Sequence, residues 1–177
     1  MQSISSELDN FINGGNLLVS TKIETYDSLL VDTVSYFTNK NISGAILSLN
    51  KSYTMLTKTF EANKINTKGI TFIDPITYNQ EKTEGNCIYM ARPFNPTNAA
   101  LIITKLAQSP QIKFFIFDSL TTLLLSYNPV NTVKFFQFIL PKLSSQKKLS
   151  LVFSLDSDPI DPNTNLIIKL CNKVVTV

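Results

Sequence analysis

The chain has 177 residues, 44% of them hydrophobic and only 16% charged, with a formal net charge of +3. That length can bury the core of one domain without staples, and the apolar content excludes a disordered polypeptide. There is no histidine, and the two cysteines, Cys87 and Cys171, lie far apart; these facts exclude histidine triads and bases, ordinary catalytic zinc and a disulfide framework.

In chain order, residues 1 to 15 end in Gly14-Gly15 and read as a possible leader before a single domain spanning 1–177. Leu17 to Ser20 is a short apolar run, a buried strand. From Thr25 to Asn39 the residues Tyr26, Leu29, Leu30, Val34 and Phe37 recur at helical spacing. After a turn over Asn41 to Gly44, Ala45 to Leu49 reads as a second strand. Ser52 to Asn63 reads as a helix with Met55, Leu56 and Phe60 inward. Ile70 to Ile73 is a third strand, and the polar stretch Thr77 to Asn86 reads as a mobile loop before a minor strand over Asn86 to Met90. A helix follows Pro96, with Ala99, Ala100, Ile102, Ile103 and Leu106 facing the core. Ile112 to Asp118 is a continuous apolar strand ending in a carboxylate. A short helix, Leu120 to Leu125, stops at Asn128-Pro129, and Val130 to Leu143 forms a long one with Val133, Phe136, Ile139 or Leu140, and Leu143 inward. Leu149 to Leu155 is a strand, and a helix near Asn165 to Cys171 and a strand over Val174 to Val177 close the chain. Strands apolar throughout, alternating with helices, predict an α/β three-layer sandwich around a mostly parallel sheet.

Three segments carry a resemblance. Gly14-Gly15-Asn-Leu-Leu-Val-Ser20 is similar to the entry into the Walker A loop of KaiC-like ATPases in the RecA superfamily. Ala45 to Ser52 resembles that family's second strand, and Phe114-Phe-Ile-Phe-Asp-Ser-Leu-Thr-Thr-Leu-Leu-Leu125 resembles its Walker B strand and continuation, the most specific of the three. The resemblance spans nearly the whole chain. It implies a RecA-like sheet of the P-loop NTPase type in which the strands at 17–20, 112–117 and 149–155 are central neighbours. With many Lys, Asn and Ile residues, it also implies an archaeal source with an AT-rich genome.

The departures are chemical. In the implied register Tyr26 stands at the last Walker A glycine, Asp27 at the lysine and Ser28 at the magnesium-binding hydroxyl. Asn50 and Lys51 stand at the two glutamates, and Asp118 alone keeps the Walker B carboxylate. The segment Thr21 to Asp27, expected as the loop, has no glycine to converge its N–H groups on a phosphate and offers Glu24 and Asp27 in place of a cation. Both charge stabilisation and water activation for phosphoryl transfer are missing. The chain therefore reads as an inactive ATPase-like domain with no catalytic residue, metal or cofactor.

Plainer readings stand beside sharper ones. Asp118 can be a relic magnesium ligand or can cap the next turn through the Ser119 and Leu120 N–H groups, and an isolated carboxylate is a poor magnesium site. Ser154, Asp156 and Asp158 lie where α/β folds bind ligands, and they also make a turn-forming run. Lys147-Lys148 reads as a solvated loop, and the ring of Tyr26 as a filler of the emptied site. Phe135, Phe136 and Phe138 cannot all point one way on a helix, so at least one is expected outward as part of an interface.

Two functions follow. The first is a non-catalytic scaffold or regulatory subunit that contacts other proteins, as a homo-oligomer or beside an active RecA-like paralogue. The second is a small-molecule sensor that uses the crevice over the sheet. The sequence start lacks a basic segment followed by an apolar one, and the most apolar run, Phe114 to Leu125, is too short to span a bilayer. A cytoplasmic protein without membrane attachment is expected. Its scattered lysines do not predict a nucleic-acid partner.

Overall fold

The computed structural model describes residues 4–77, 81–156 and 161–177. In chain order it contains α1 (Ile4–Phe11), β1 (Gly15–Thr21), α2 (Ile23–Asn39), β2 (Ser43–Ser48), α3 (Tyr53–Ala62), β3 (Ile70–Asp74), β4 (Lys82–Glu84) and β5 (Cys87–Tyr89). Then come α4 (Pro96–Ala107), β6 (Ile112–Asp118), α5 (Leu120–Ser126), α6 (Pro129–Ser145), β7 (Leu149–Leu155), α7 (Pro162–Ile168) and β8 (Lys173–Thr176). The strands form one sheet in the order β4-β5-β3-β2-β6-β7-β1-β8, parallel except for β4. This is an α/β, RecA-like three-layer sandwich. β6, β7 and β1 are consecutive, and β8 covers β1, so Leu17 to Ser20 lies inside the sheet.

The apolar runs are continuous because both faces of the sheet are covered. Alternate side chains take opposite sides: Leu17 and Val19 pack under α1 to α3, whereas Leu18 packs under α4 to α7. Within the stretch read as a possible leader, Ile4–Phe11 forms α1, whose Ile4 and Leu8 join the first of these cores; Glu7 pairs with Lys173 on β8 at 2.7 Å. Helix starts repeat one signal. Asn95-Pro96, Asn128-Pro129 and Asp161-Pro162 each place a capping side chain before a proline in the first helical turn. Asn128-Pro129 thus begins α6 as much as it ends α5.

Four expectations change. Thr77 to Asn86 is not wholly a loop, because Lys82–Glu84 pairs antiparallel with β5; residues 78–80 of that stretch lie outside the described part. Met55 is 55% exposed, since it sits one position off the Leu56–Phe60 stripe of α3. Lys148 is buried rather than solvated: its Nζ donates to the carbonyls of Ser109 at 2.9 Å and Ile112 at 2.6 Å, and burial pulls its pKa down. Phe135, not expected inward, is buried beside Phe136, both edge-on against Phe117, so Phe138 is the one of the three that faces outward and neither Phe135 nor Phe136 is an exposed interface residue. An apolar arc wide enough for positions 135, 136, 139, 140 and 143 accommodates both rings. Among the described residues no helix is long and apolar enough to cross a membrane.

Candidate functional site

The site lies at the C-terminal ends of β1, β2 and β6, where open α/β sheets present their crevice. β1 ends at Thr21 and α2 begins at Ile23, so Lys22 alone separates strand from helix. The expected loop over Thr21 to Asp27 is therefore absent: those residues complete the strand and make the first turn of α2. Thr21 is fixed at the junction, its Oγ1 bonded to Val177 O at 3.1 Å and to Thr25 Oγ1 at 2.8 Å. A single connecting residue cannot curl its backbone around an anion as a phosphate loop does.

The first turn of α2 carries Tyr26 inward. Its ring meets Phe153 of β7 edge-on at 5.9 Å, and its hydroxyl donates to Asp118 Oδ1 at the end of β6. Asn50, just past β2, donates from Nδ2 to the same Oδ1 at 2.9 Å and to the Tyr26 oxygen at 3.4 Å, and accepts from Thr122 Oγ1. Asp118 Oδ2 has no partner among the described residues. Burial pushes the Asp118 carboxyl above its ordinary pKa, and the bonds from Tyr26 and Asn50 oppose that rise. The Tyr26 phenol is pushed far up by burial and by the charge of Asp118, which keeps it a neutral donor.

The outer layer is also closed. Lys51 Nζ pairs with Asp27 Oδ2 at 2.6 Å, so these two charges neutralise each other. Ser28 turns its hydroxyl back to the Thr25 carbonyl at 2.9 Å. Asp118 does not cap the following helix; Ser119 does, accepting from Thr122 N at 3.3 Å, because the Asp118 side chain is held by Tyr26 and Asn50. Ser154 bonds Thr121 Oγ1 at 3.2 Å, Asp156 reaches Ser20 Oγ at 3.4 Å, and Asp158 lies outside the described residues.

Chemically, the cluster holds one buried carboxyl and neutral donors. No group of three or more His, Cys, Asp or Glu side chains suited to a metal occurs among the described residues. Burial pushes the Cys87 and Cys171 thiols up to about 12, away from nucleophilic thiolate character. Sequence reasoning placed Tyr26, Asn50, Lys51 and Asp118 in one register, and the structure brings them together. It did not find Thr122, whose distance from Asn50 along the chain leaves no local signal.

No protein-family profile and no curated protein sequence matches this chain. Solved structures do. A KaiC-like protein from the hyperthermophilic archaeon Pyrococcus horikoshii superposes with a TM-score of 0.67 at 11% identity, over 93% of this chain and 71% of that one. An uncharacterised protein from the same organism, solved in complex with an unknown peptide, gives 0.72 at 8% identity, over 97% of this chain and 82% of that one. At such identities the likeness concerns the fold, which is that of KaiC-like and RecA-like domains.

Proposed function

We propose that this chain is a non-catalytic RecA/KaiC-like protein, a scaffold or regulatory subunit that works through protein contacts as a homo-oligomer or beside an active RecA-like paralogue. The observation that carries the reading is the one-residue β1–α2 junction, with Tyr26, at the position the resemblance gives to the end of the Walker A loop, bonded to Asp118. Binding there would have to break a buried bond and separate the Lys51–Asp27 pair. Glu24 and Asp27 near the start of α2 already complement its helix dipole. A structure of the same fold that holds a peptide is in keeping with work through contacts.

Millimolar ATP or ADP with magnesium should leave the melting temperature unchanged, and sedimentation over a concentration series should reveal association, with itself or with a RecA-like paralogue. A saturable nucleotide shift would overturn the inactive reading. A strictly monomeric protein that pairs with no paralogue would overturn the scaffold. The second reading, a small-molecule sensor, is favoured by one feature: a hollow of about 580 Å³ beside the end of β3, lined by Ile76, Arg92, Phe94 and Tyr127 among others. A melting shift with a metabolite panel, lost in Arg92→Ala, would select it.

A further inference from the structure

The geometry points to the groove between α4 and α6 as the docking site for an acidic amphipathic helix of a partner protein. This rests on the protein-contact reading above and names the surface and the chemistry of the partner.

A hollow of about 710 Å³ runs between the two helices. The buried Phe94, Ala100 and Phe135 form its floor, and Leu101, Lys134 and Phe138 form its walls. Leu101 is 65% and Phe138 55% exposed, unusual for large apolar side chains on either side of one depression. Sequence spacing builds the walls. Thr97, Leu101 and Lys105 recur every four residues along α4, and Lys134, Phe138 and Lys142 do so along α6, so each helix presents one stripe with its apolar residue beside cations.

Charge identifies the occupant. From Gly85 to Leu155 the chain has seven basic residues and one acidic residue, Asp118, which is buried; the remainder has nine basic and twelve acidic. Neither α4 nor α6 contains a carboxylate. The ion pairs found among the described residues, Lys40–Asp9, Lys51–Asp27, Lys82–Glu84 and Lys173–Glu7, all lie elsewhere. Lys142 instead lies over the Phe138 ring, 5.9 Å from its centre. The groove thus offers an apolar trough between cations whose carboxylate partners are not supplied by the neighbouring helices. Its complement is a helix with apolar residues at i and i+4 and Glu or Asp on the flanks. α4, with twelve residues, is about 18 Å long, so three to four turns of a partner helix match it. Apolar anchors in the hollow would supply most of the affinity, and the rim charges orientation and encounter rate. A polyanion such as nucleic acid would use the lysines but leave Leu101 and Phe138 without a counterpart.

The test is a display selection on the full-length protein. The library is a helical 16-residue peptide with Leu or Phe fixed at i and i+4 and flanking positions free among Glu, Asp, Lys, Arg, Ser and Gln. Selected peptides should be enriched in Glu and Asp, and binding measured by fluorescence anisotropy should weaken at least about tenfold in Phe138→Ser, as expected for a central anchor. Lys134→Glu should weaken the acidic peptides and favour a charge-reversed version. Both positions are exposed, so unchanged melting temperatures establish that the variants are folded. Peptides without acid enrichment, or bound equally by Phe138→Ser, would overturn the groove while leaving the protein-contact reading intact. Self-association lost in Phe138→Ser would make a second copy the occupant and overturn the partner helix, as would saturable binding of an oligonucleotide that competes with the peptide. No selected binder together with a monomeric protein would overturn both readings.

Discussion

Replacing Tyr26 by Phe tests whether the cluster around Asp118 is a closed part of the core. The ring stays against Phe153, and only the hydroxyl is lost. Asp118 Oδ1 then keeps one donor, Asn50 Nδ2 at 2.9 Å, while Oδ2 has none. A bond to a buried carboxyl contributes about 1 kcal/mol when that group is neutral and about 1.5–3 kcal/mol when it is ionised. For a domain of this size each kcal/mol moves the melting temperature by roughly 2–4 °C, so a loss of about 3–12 °C is expected at neutral pH or above. The pH dependence has a definite sign. Burial raises the Asp118 pKa in the fold, so its stabilising contribution is complete below its ordinary value of 3.8 and is lost as pH rises through the folded pKa. The Tyr26 bond opposes that rise, and without it the folded pKa climbs further. The deficit of Tyr26→Phe must therefore grow with pH. Urea unfolding at pH 4.5 and 8.5, read by midpoint and slope, measures both quantities. A deficit below about 0.5 kcal/mol at both values, the range of ordinary surface substitutions, would show that the hydroxyl is solvated and the site open. A deficit larger at acid pH would refute the electrostatic argument.

Two further substitutions probe the sheet and the aromatic helix. Gly44→Ala places a Cβ 2.4 Å from the ring of Phe114, itself stacked on Phe37 at 3.8 Å, so the ring cannot retreat and a loss of about 1–3 kcal/mol in chemical unfolding is expected; an unchanged midpoint would refute this packing. Phe135→Ser should cost more than about 3 kcal/mol, because it empties a buried site and inserts a hydroxyl, whereas Phe138→Ser should stay within about 0.5 kcal/mol of the parent. The reverse ranking would invert the orientation assigned to α6.

The sheet was legible because burial on both faces writes short apolar runs, as in Phe114 to Phe117, that alternate with helical periods along the chain. The order of β6, β7 and β1 was legible through a resemblance, since local pattern carries no strand order. Phe136 was read inward and is, but the burial of Phe135 beside it was missed for a geometric reason. Neighbours on a helix differ by about 100°, yet the core arc of α6 is broad enough to hold both. Met55 failed the opposite way, on α3, where the buried arc is narrow. Lys148 could not be read at all, because its partners are carbonyls in the turn before β6 and at its first residue, and carbonyls have no sequence signature. The site itself was half legible. That Tyr26, Asn50 and Asp118 meet, with Lys51 and Asp27 beside them, was legible through the resemblance, but the length of the β1–α2 junction was not, because polar residues at a strand end can be loop or first helical turn alike.

That junction makes the residues of the site interdependent. With Lys22 as the sole connector, the first turn of α2 begins where a loop would otherwise stand off from the sheet, and this brings position 26 over the end of β6. A large side chain there has to be satisfied at its tip, and a phenol over Asp118 achieves this by donating to a carboxyl that would otherwise be buried with Asn50 alone. Asn50 in turn can donate to Asp118 and Tyr26 while accepting from Thr122, which a glutamate at that position could not do without placing a second carboxylate beside the first. Lys51 and Asp27 then close the rim as a pair in which neither charge is left over. One-residue connection, filled crevice and neutralised rim are thus mutually supporting packing solutions, with Asp118 Oδ1 held by two donors inside the protein and no unpaired cation in the Lys51–Asp27 rim.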